Sequence, residues 1–234
     1  MSYRALDSAA IVSTAERLSA RIGERFPDSG LSKVAREVLA VTRETGDRIA
    51  LIRRPRASSR LWVWATIALG AALIVALVAS LPATSGELEL FPLLQIVESA
   101  INDVVFLGIA VVFLLSLEAR KQRRDALHAL HQLRSLAHVI DMHQLTKDPD
   151  QLLSPETATA SSPRRELDRF GLSRYLDYCS ELLSILSKVA ALYAQDLDDR
   201  EVLAAVNDIQ TLTAGLSSKI WQKLVILDNL RARG

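Results

Sequence analysis

No lysine or arginine occurs from Leu61 to Ala119, in a chain of 234 residues that carries 28 of them. From Leu61 to Gly86 there is no charge of either sign. Such a gap most easily accommodates lipid. The stretch LWVWATIALGAALIVALVASL, Leu61 to Leu81, is long enough to cross a hydrocarbon core of about 30 Å at about 1.5 Å per residue. A second apolar run, VVFLGIAVVFLLSL, covers Val104 to Leu117. It is short alone. Extended back to Ser99 it reaches a full span, which then includes Asn102 and Asp103. The competing reading for either run is a helix buried in protein. The first run is too long for that and ends against arginines.

The flanks of the gap predict an orientation. Arg53, Arg54, Arg56 and Arg60 precede the first run, and Arg120, Lys121, Arg123 and Arg124 follow the second. Basic residues concentrate on the cytoplasmic side of a membrane, so both flanks are expected there, where they can also meet anionic headgroups. The connecting region holds Glu87, Glu89, Glu98 and Asp103 and no base. Trp62 and Trp64 stand at the basic end of the first run, where an aromatic belt belongs. The opening residues MSYRALDSAA do not form a signal peptide, so the first span is expected to serve as an uncleaved insertion signal. The lone Cys179 forms no intrachain disulfide, which fits a reducing compartment. Arginine exceeds lysine 22 to 6, a bias read as a GC-rich bacterial genome and hence an inner membrane.

Composition narrows the fold. Half the residues are hydrophobic, yet only 5% are aromatic and nine are glycine. An apolar content carried by Ala, Leu, Val and Ile favours helices over sheets. With 24% charged residues the chain is not wholly intramembrane, and its apolar content exceeds that of a disordered chain. A net charge of +1 gives no footprint for nucleic acid.

Helical periodicity fills the remainder. Ile11, Ala15, Leu18 and Ile22 repeat along a first helix that Gly23 and Pro27 end. Leu31, Val34, Val38, Val41 and Ile49 line a second, from about Ser29 to Arg54, stopped by Pro55. No Gly or Pro separates the second span from Leu145, which predicts one helix of about 45 residues from Ile101, roughly 65 Å long. Residues 146–163 are rich in Pro, Ser, Thr and Asp and read as a linker, with Ser162–Pro163 capping the next helix. There Leu172, Leu176, Cys179, Leu183, Leu186, Ala190 and Tyr193 form one stripe. Asp198 and Glu201 read as a capping box for the last helix, whose stripe from Val202 to Leu230 is broken by Lys223. Two helices alone bury such faces poorly, so they are expected to pack on the stalk, the N-terminal helices or another subunit.

Few polar constellations stand out. His128, His131, His138 and His143 lie within 16 residues. Imidazoles are common transition-metal ligands and titrate near neutral pH, so His128, His131 and His138 are metal or pH-sensing candidates. His131 and His138 are two turns apart, roughly 10 Å, too far to share an ion on one helix. His128 with His131, or Asp125 with His128, suits a pair at i, i+3, and a full site needs ligands from another helix or subunit. Otherwise these side chains lie at a polar interface or in solvent. Glu98 and Asn102 share a helix face, with Asp103 one step round; around an oligomer axis they would form acidic rings that attract cations. The two-span outline is similar to that of certain cation channels, but the loop lacks the Gly-Met-Asn signature of the CorA-type magnesium channels and the Asp-Ile-Met-Glu signature of the mitochondrial calcium uniporter. Ala68, Ala72, Ala76 and Ser80 recur every four residues and suggest close helix packing. Nucleotide-binding, metalloprotease and hydrolase motifs are absent, and Cys179 sits on an apolar stripe as a core thiol.

The expectation is an all-α protein: a two-span transmembrane helical hairpin with a cytoplasmic, coiled-coil-like helical bundle. Its parts are N-terminal helices (1–56), the hairpin (57–119, spans about 61–81 and 99–118 around an outer loop 82–98), a stalk (120–145), a linker (146–163) and a C-terminal helix pair (164–234). Both termini are expected inside the cell. The expected function is non-enzymatic assembly, with the lipid bilayer, further copies of the chain and a cytoplasmic protein as partners, no nucleic acid, and no cofactor beyond a possible divalent metal. The alternatives are an oligomeric cation channel or transport component, or a metal- or pH-responsive membrane protein.

Overall fold

The computed structural model describes residues 4–53, 64–65, 67–68, 70–72, 75, 90–147, 149 and 167–232. Among them there is no strand. The helices are α1 (Ser8–Arg25), α2 (Gly30–Arg53), α3 (Leu90–Leu145), α4 (Arg169–Asp196) and α5 (Arg200–Ala232). The described residues between 64 and 75 are also helical. The chain divides into two units: Met1–Arg53 with Arg123–Gly234, and Arg54–Gln122.

In the first unit each helix begins and ends for identifiable reasons. Asp7 caps α1, its carboxylate accepting from the Ala9 amide at 2.9 Å. After Pro27 the chain turns through Asp28, which adopts φ 60°, a left-handed conformation that a short polar side chain tolerates. Ser29 then caps α2: its hydroxyl accepts from the Ser32 amide, and the Ser32 hydroxyl donates back to the Ser29 carbonyl. Asp168 caps α4 by accepting from the Gly171 amide at 2.7 Å. The expected Ser162–Pro163 start lies outside the described residues.

Two expected boundaries are corrected. The cap of α5 is Asp199, not Asp198: its Oδ1 accepts from the amides of Glu201 and Val202. The helix therefore starts one residue later than the Asp198–Glu201 spacing suggests. Residues 90–98, expected in the outer loop, are the first turns of α3, which is 56 residues long. Pro92 does not prevent this, because it falls in the first turn, where its missing N–H has no intrahelical partner to lose. Most of the expected linker and first span lie outside the described residues.

The apolar stripes meet in one core. Ile11, Ala15, Leu18 and Ile22 of α1 and Leu31, Val34, Val38, Val41 and Ile49 of α2 are all buried. So are Ala126, Leu130, Leu133, Ala137 and Ile140 of α3 and the α5 residues Val202, Val206, Ile209 and Ile220. The C-terminal pair thus finds its partners in α1, α2 and the last third of α3. Helix α4 is the centre: it packs against α1, α2 and α5. Thirteen of its 28 residues are buried, over roughly half of its circumference, while Ser173, Asp177, Ser184 and Lys188 occupy the side that is not. Three hydroxyl groups drawn inside find partners. Tyr193 donates to Thr45 at 3.4 Å, and the hydroxyls of Thr42 and Thr213 donate to the carbonyls of Val38 and Ile209.

In the second unit, Leu107 of α3 lies directly on Gly70. A Cβ at Gly70 would collide with Leu107 Cδ2, so glycine permits this approach. Within the chain Ala68 and Ala72 are exposed, on the other side of the helix from Gly70, and Ala76 and Ser80 lie outside the described residues. Among the described residues one helix, the part of α3 from Ile101, is long and apolar enough to cross a membrane. Its apolar window has mean hydropathy 2.0 and no part of it is buried.

Candidate functional site

Helix α3 carries most of the residues singled out from the sequence. From Ile101 to Leu117 large apolar side chains face outward on every side: Phe106 is 70% exposed, and Ile109, Val112 and Phe113 are exposed with it. A water-facing helix shows one apolar stripe. This one shows no polar face over four turns, and contiguous exposure of that extent marks contact with lipid or protein. Glu98, Asn102 and Asp103 are exposed on the same helix. The helical setting places Glu98 and Asn102 one turn apart on one side.

The basic group after this stretch divides in two. Arg120, Lys121 and Arg124 are exposed. Arg123 is committed to the protein: its Nε donates to Asp199 Oδ2 at 2.6 Å and its NH1 reaches Glu201 Oε1 at 3.3 Å. Burial disfavours the Asp199 charge, but the amides of Val202 and Glu201 and the Arg123 guanidinium outweigh it and hold this carboxyl below its ordinary range. One residue thereby caps α5 and ties its start to α3. Of the arginines before the first apolar run, Arg53 ends α2, while Arg54, Arg56 and Arg60 lie outside the described residues.

The histidines are dispersed in environment. His128, His131 and His138 are exposed, and among the described residues no three His, Cys, Asp or Glu side chains group closely enough to hold a metal. His143 differs. Its ring covers Gly30, the first residue of α2, so closely that no side chain fits there. Burial and then the neighbouring Lys147 push its pKa down, which favours the neutral ring. Nearby, Lys223 Nζ donates to the carbonyls of Gln144 at 2.8 Å and Lys147 at 3.3 Å. The interruption in the α5 stripe is thus a cation on the carbonyl-rich end of α3, the pole where positive charge is favoured. Sequence periodicity registered Lys223 only as a defect, since nothing local indicates which helix end it will reach.

Two grooves and a buried thiol also lie among the described residues. A groove of about 940 Å³ is lined by Phe170, Ser173, Asp177, Trp221, Leu224 and Val225 with neighbouring polar residues. Phe170 packs under the guanidiniums of Arg25 and Arg174. A smaller one of about 380 Å³ lies between α1 and α4 near Leu6. There the Gln195 side chain clasps the Leu6 backbone, donating to its carbonyl and accepting from its amide. Cys179 is fully buried, and burial pushes its thiol up to about 12, so it is a core residue and no nucleophile. No family model, curated protein or solved structure matches the chain.

Proposed function

We propose that the chain is an integral inner-membrane protein in which a two-span hairpin anchors a cytoplasmic helical bundle that serves assembly or partner binding and performs no catalysis. The observation carrying this reading is the all-round apolar exposure of Ile101–Leu117, followed at once by Arg120, Lys121 and Arg124. An apolar girdle with a basic collar is what the hydrocarbon core and the anionic inner surface of a membrane demand. The close seating of Leu107 on Gly70 supports a hairpin, because small residues let two spans touch where no hydrophobic effect drives them together. Alkaline extraction of membranes is the test. The protein is expected to stay in the pellet. Quantitative release into the supernatant overturns the anchor.

A second reading keeps Glu98, Asn102 and Asp103 as an acidic entrance for cations in an oligomer. It rests on their exposed placement along one helix. Cation flux into liposomes that falls in Glu98→Gln and Asp103→Asn variants supports it; no flux with the parent chain removes it.

A further inference from the structure

Two aromatic side chains of the first unit face solvent, and both stand in the groove between α4 and α5. Trp221 is 66% exposed and Phe170 57%. The other described aromatics of that unit, Phe26, Tyr175, Tyr178 and Tyr193, are buried or half-buried. The groove runs along the side of α4 that its neighbours leave uncovered. Its walls follow helical spacing. On α4 the wall is Phe170, Ser173 and Asp177; on α5 it is Trp221, Val225 and Asp228, with Leu224 at its base. Steps of three and four keep each set on one side of its helix over two turns, about 10 Å.

Only residues 197–199 join α4 to α5, and the pair packs along its length, so the two helices run antiparallel. Along the groove the order is therefore Phe170 opposite Asp228, then the apolar middle, then Asp177 opposite Trp221. Each end offers one ring and one carboxylate, the combination that attracts a guanidinium or ammonium group. The Phe170 end shows this within the protein. Arg25 and Arg174 lie over its ring at 5.4 and 5.7 Å, and Arg174 reaches on to Asp177 at 3.5 Å. The Trp221 ring holds no such cation among the described residues. Three carboxylates, Asp168, Asp177 and Asp228, line the groove against one guanidinium, that of Arg169. Burial pushes the Asp177 carboxyl up despite Arg174, so an arriving positive charge is favoured there.

We propose that this groove docks a basic amphipathic helix of a partner protein, which sets an arginine or lysine over Trp221 beside Asp177 and its apolar side chains on Leu224 and Val225. A straight trough between two helices accepts a third helix whose anchors repeat at i, i+3 or i+4 and i+7. An exposed tryptophan beside a carboxylate is the kind of anchor on which such contacts concentrate their energy. The inference rests on the partner-binding half of the reading above and not on the membrane anchor.

The test uses the full chain in detergent with Trp62→Phe and Trp64→Phe, which leaves Trp221 as the one tryptophan of three. The probes are two tryptophan-free model helices of about 18 residues, five turns. Both carry leucine on one face and alanine elsewhere, with rim positions of arginine in one and glutamate in the other. The arginine probe is expected to shift Trp221 emission to the blue, and the glutamate probe to leave it in place. Probe taken up by the micelle alone leaves Trp221 in water and gives no shift. The double variant Asp177→Asn, Asp228→Asn is expected to need about tenfold more arginine probe for the same shift. Asp208→Asn, exposed elsewhere on α5, is expected to titrate like the parent. No shift with the arginine probe, equal shifts with both probes, or an unchanged titration in the double variant overturns the proposal. A blue shift that grows with protein concentration without probe makes the occupant a second copy and also overturns it. Release of the chain by alkaline extraction would remove the anchor and leave this titration intact, so the two failures are distinguishable.

Discussion

At the scale of single residues, His143 is the informative histidine, although the cluster of three upstream of it is more conspicuous in the sequence. It is held against Gly30 with its pKa lowered by burial and by Lys147. The sign of the consequence follows. Above about pH 6.5 the ring is neutral whether the chain is folded or not. As pH falls, the unfolded chain takes up the proton first, so the stability this group supplies is lost below that value. The thermal midpoint of the bundle is expected to fall between about pH 7 and pH 5, and His143→Gln to flatten that part of the profile. A drop of equal size in the variant would contradict this. The stripes from Ile11 to Ile22 and from Leu172 to Tyr193 were legible because burial follows spacing along one helix. The roles of His143, Lys223 and Gly30 were not. Each depends on which residue of a distant helix arrives opposite, and no local pattern encodes that.

At the scale of elements, boundaries depended on single hydrogen bonds. Asp198 and Asp199 are adjacent carboxylates, and spacing to Glu201 favoured the first; the Asp199 side chain, drawn in by Arg123, is the one that caps α5. Asp199→Ala is therefore expected to lower the midpoint of chemical denaturation clearly more than Asp198→Ala does. Equal shifts would contradict the cap. Helix α3 was recognised as continuous because its sequence lacks breakers from Ile101 onward. Its start lies earlier than expected because the apolar run was extended back only to Ser99, whereas Pro92 sits in a first turn that accepts it. The Ala68 and Ala72 spacing marks a different side of that helix from the one that meets Leu107. Glycine at position 70 gives the closer approach, and a single glycine makes no periodic signal. Gly70→Leu, which would collide with Leu107, is expected to lower the thermal midpoint of the detergent-solubilised chain, whereas Ala72→Leu on the exposed side leaves it unchanged.

At the scale of the whole molecule, the near-zero net charge conceals an ordered distribution: a segment of nearly sixty residues without a base, bordered by arginines on both sides. The all-helical architecture of the described residues and the shared core of the first unit agree with what composition and periodicity lead one to expect. The proposed hairpin adds a direction to them. It requires the residues around Ser85, between the two spans, to face away from the bundle side, and Ser13 of α1 and Asp208 of α5 to share the opposite side. The decisive measurement is single-cysteine labelling with a membrane-impermeant maleimide in sealed right-side-out and inverted vesicles, with buried Cys179 as the internal control. The account predicts that Ser85→Cys labels only in right-side-out vesicles and that Ser13→Cys and Asp208→Cys label only in inverted ones. Labelling of all three positions from the same side would contradict it.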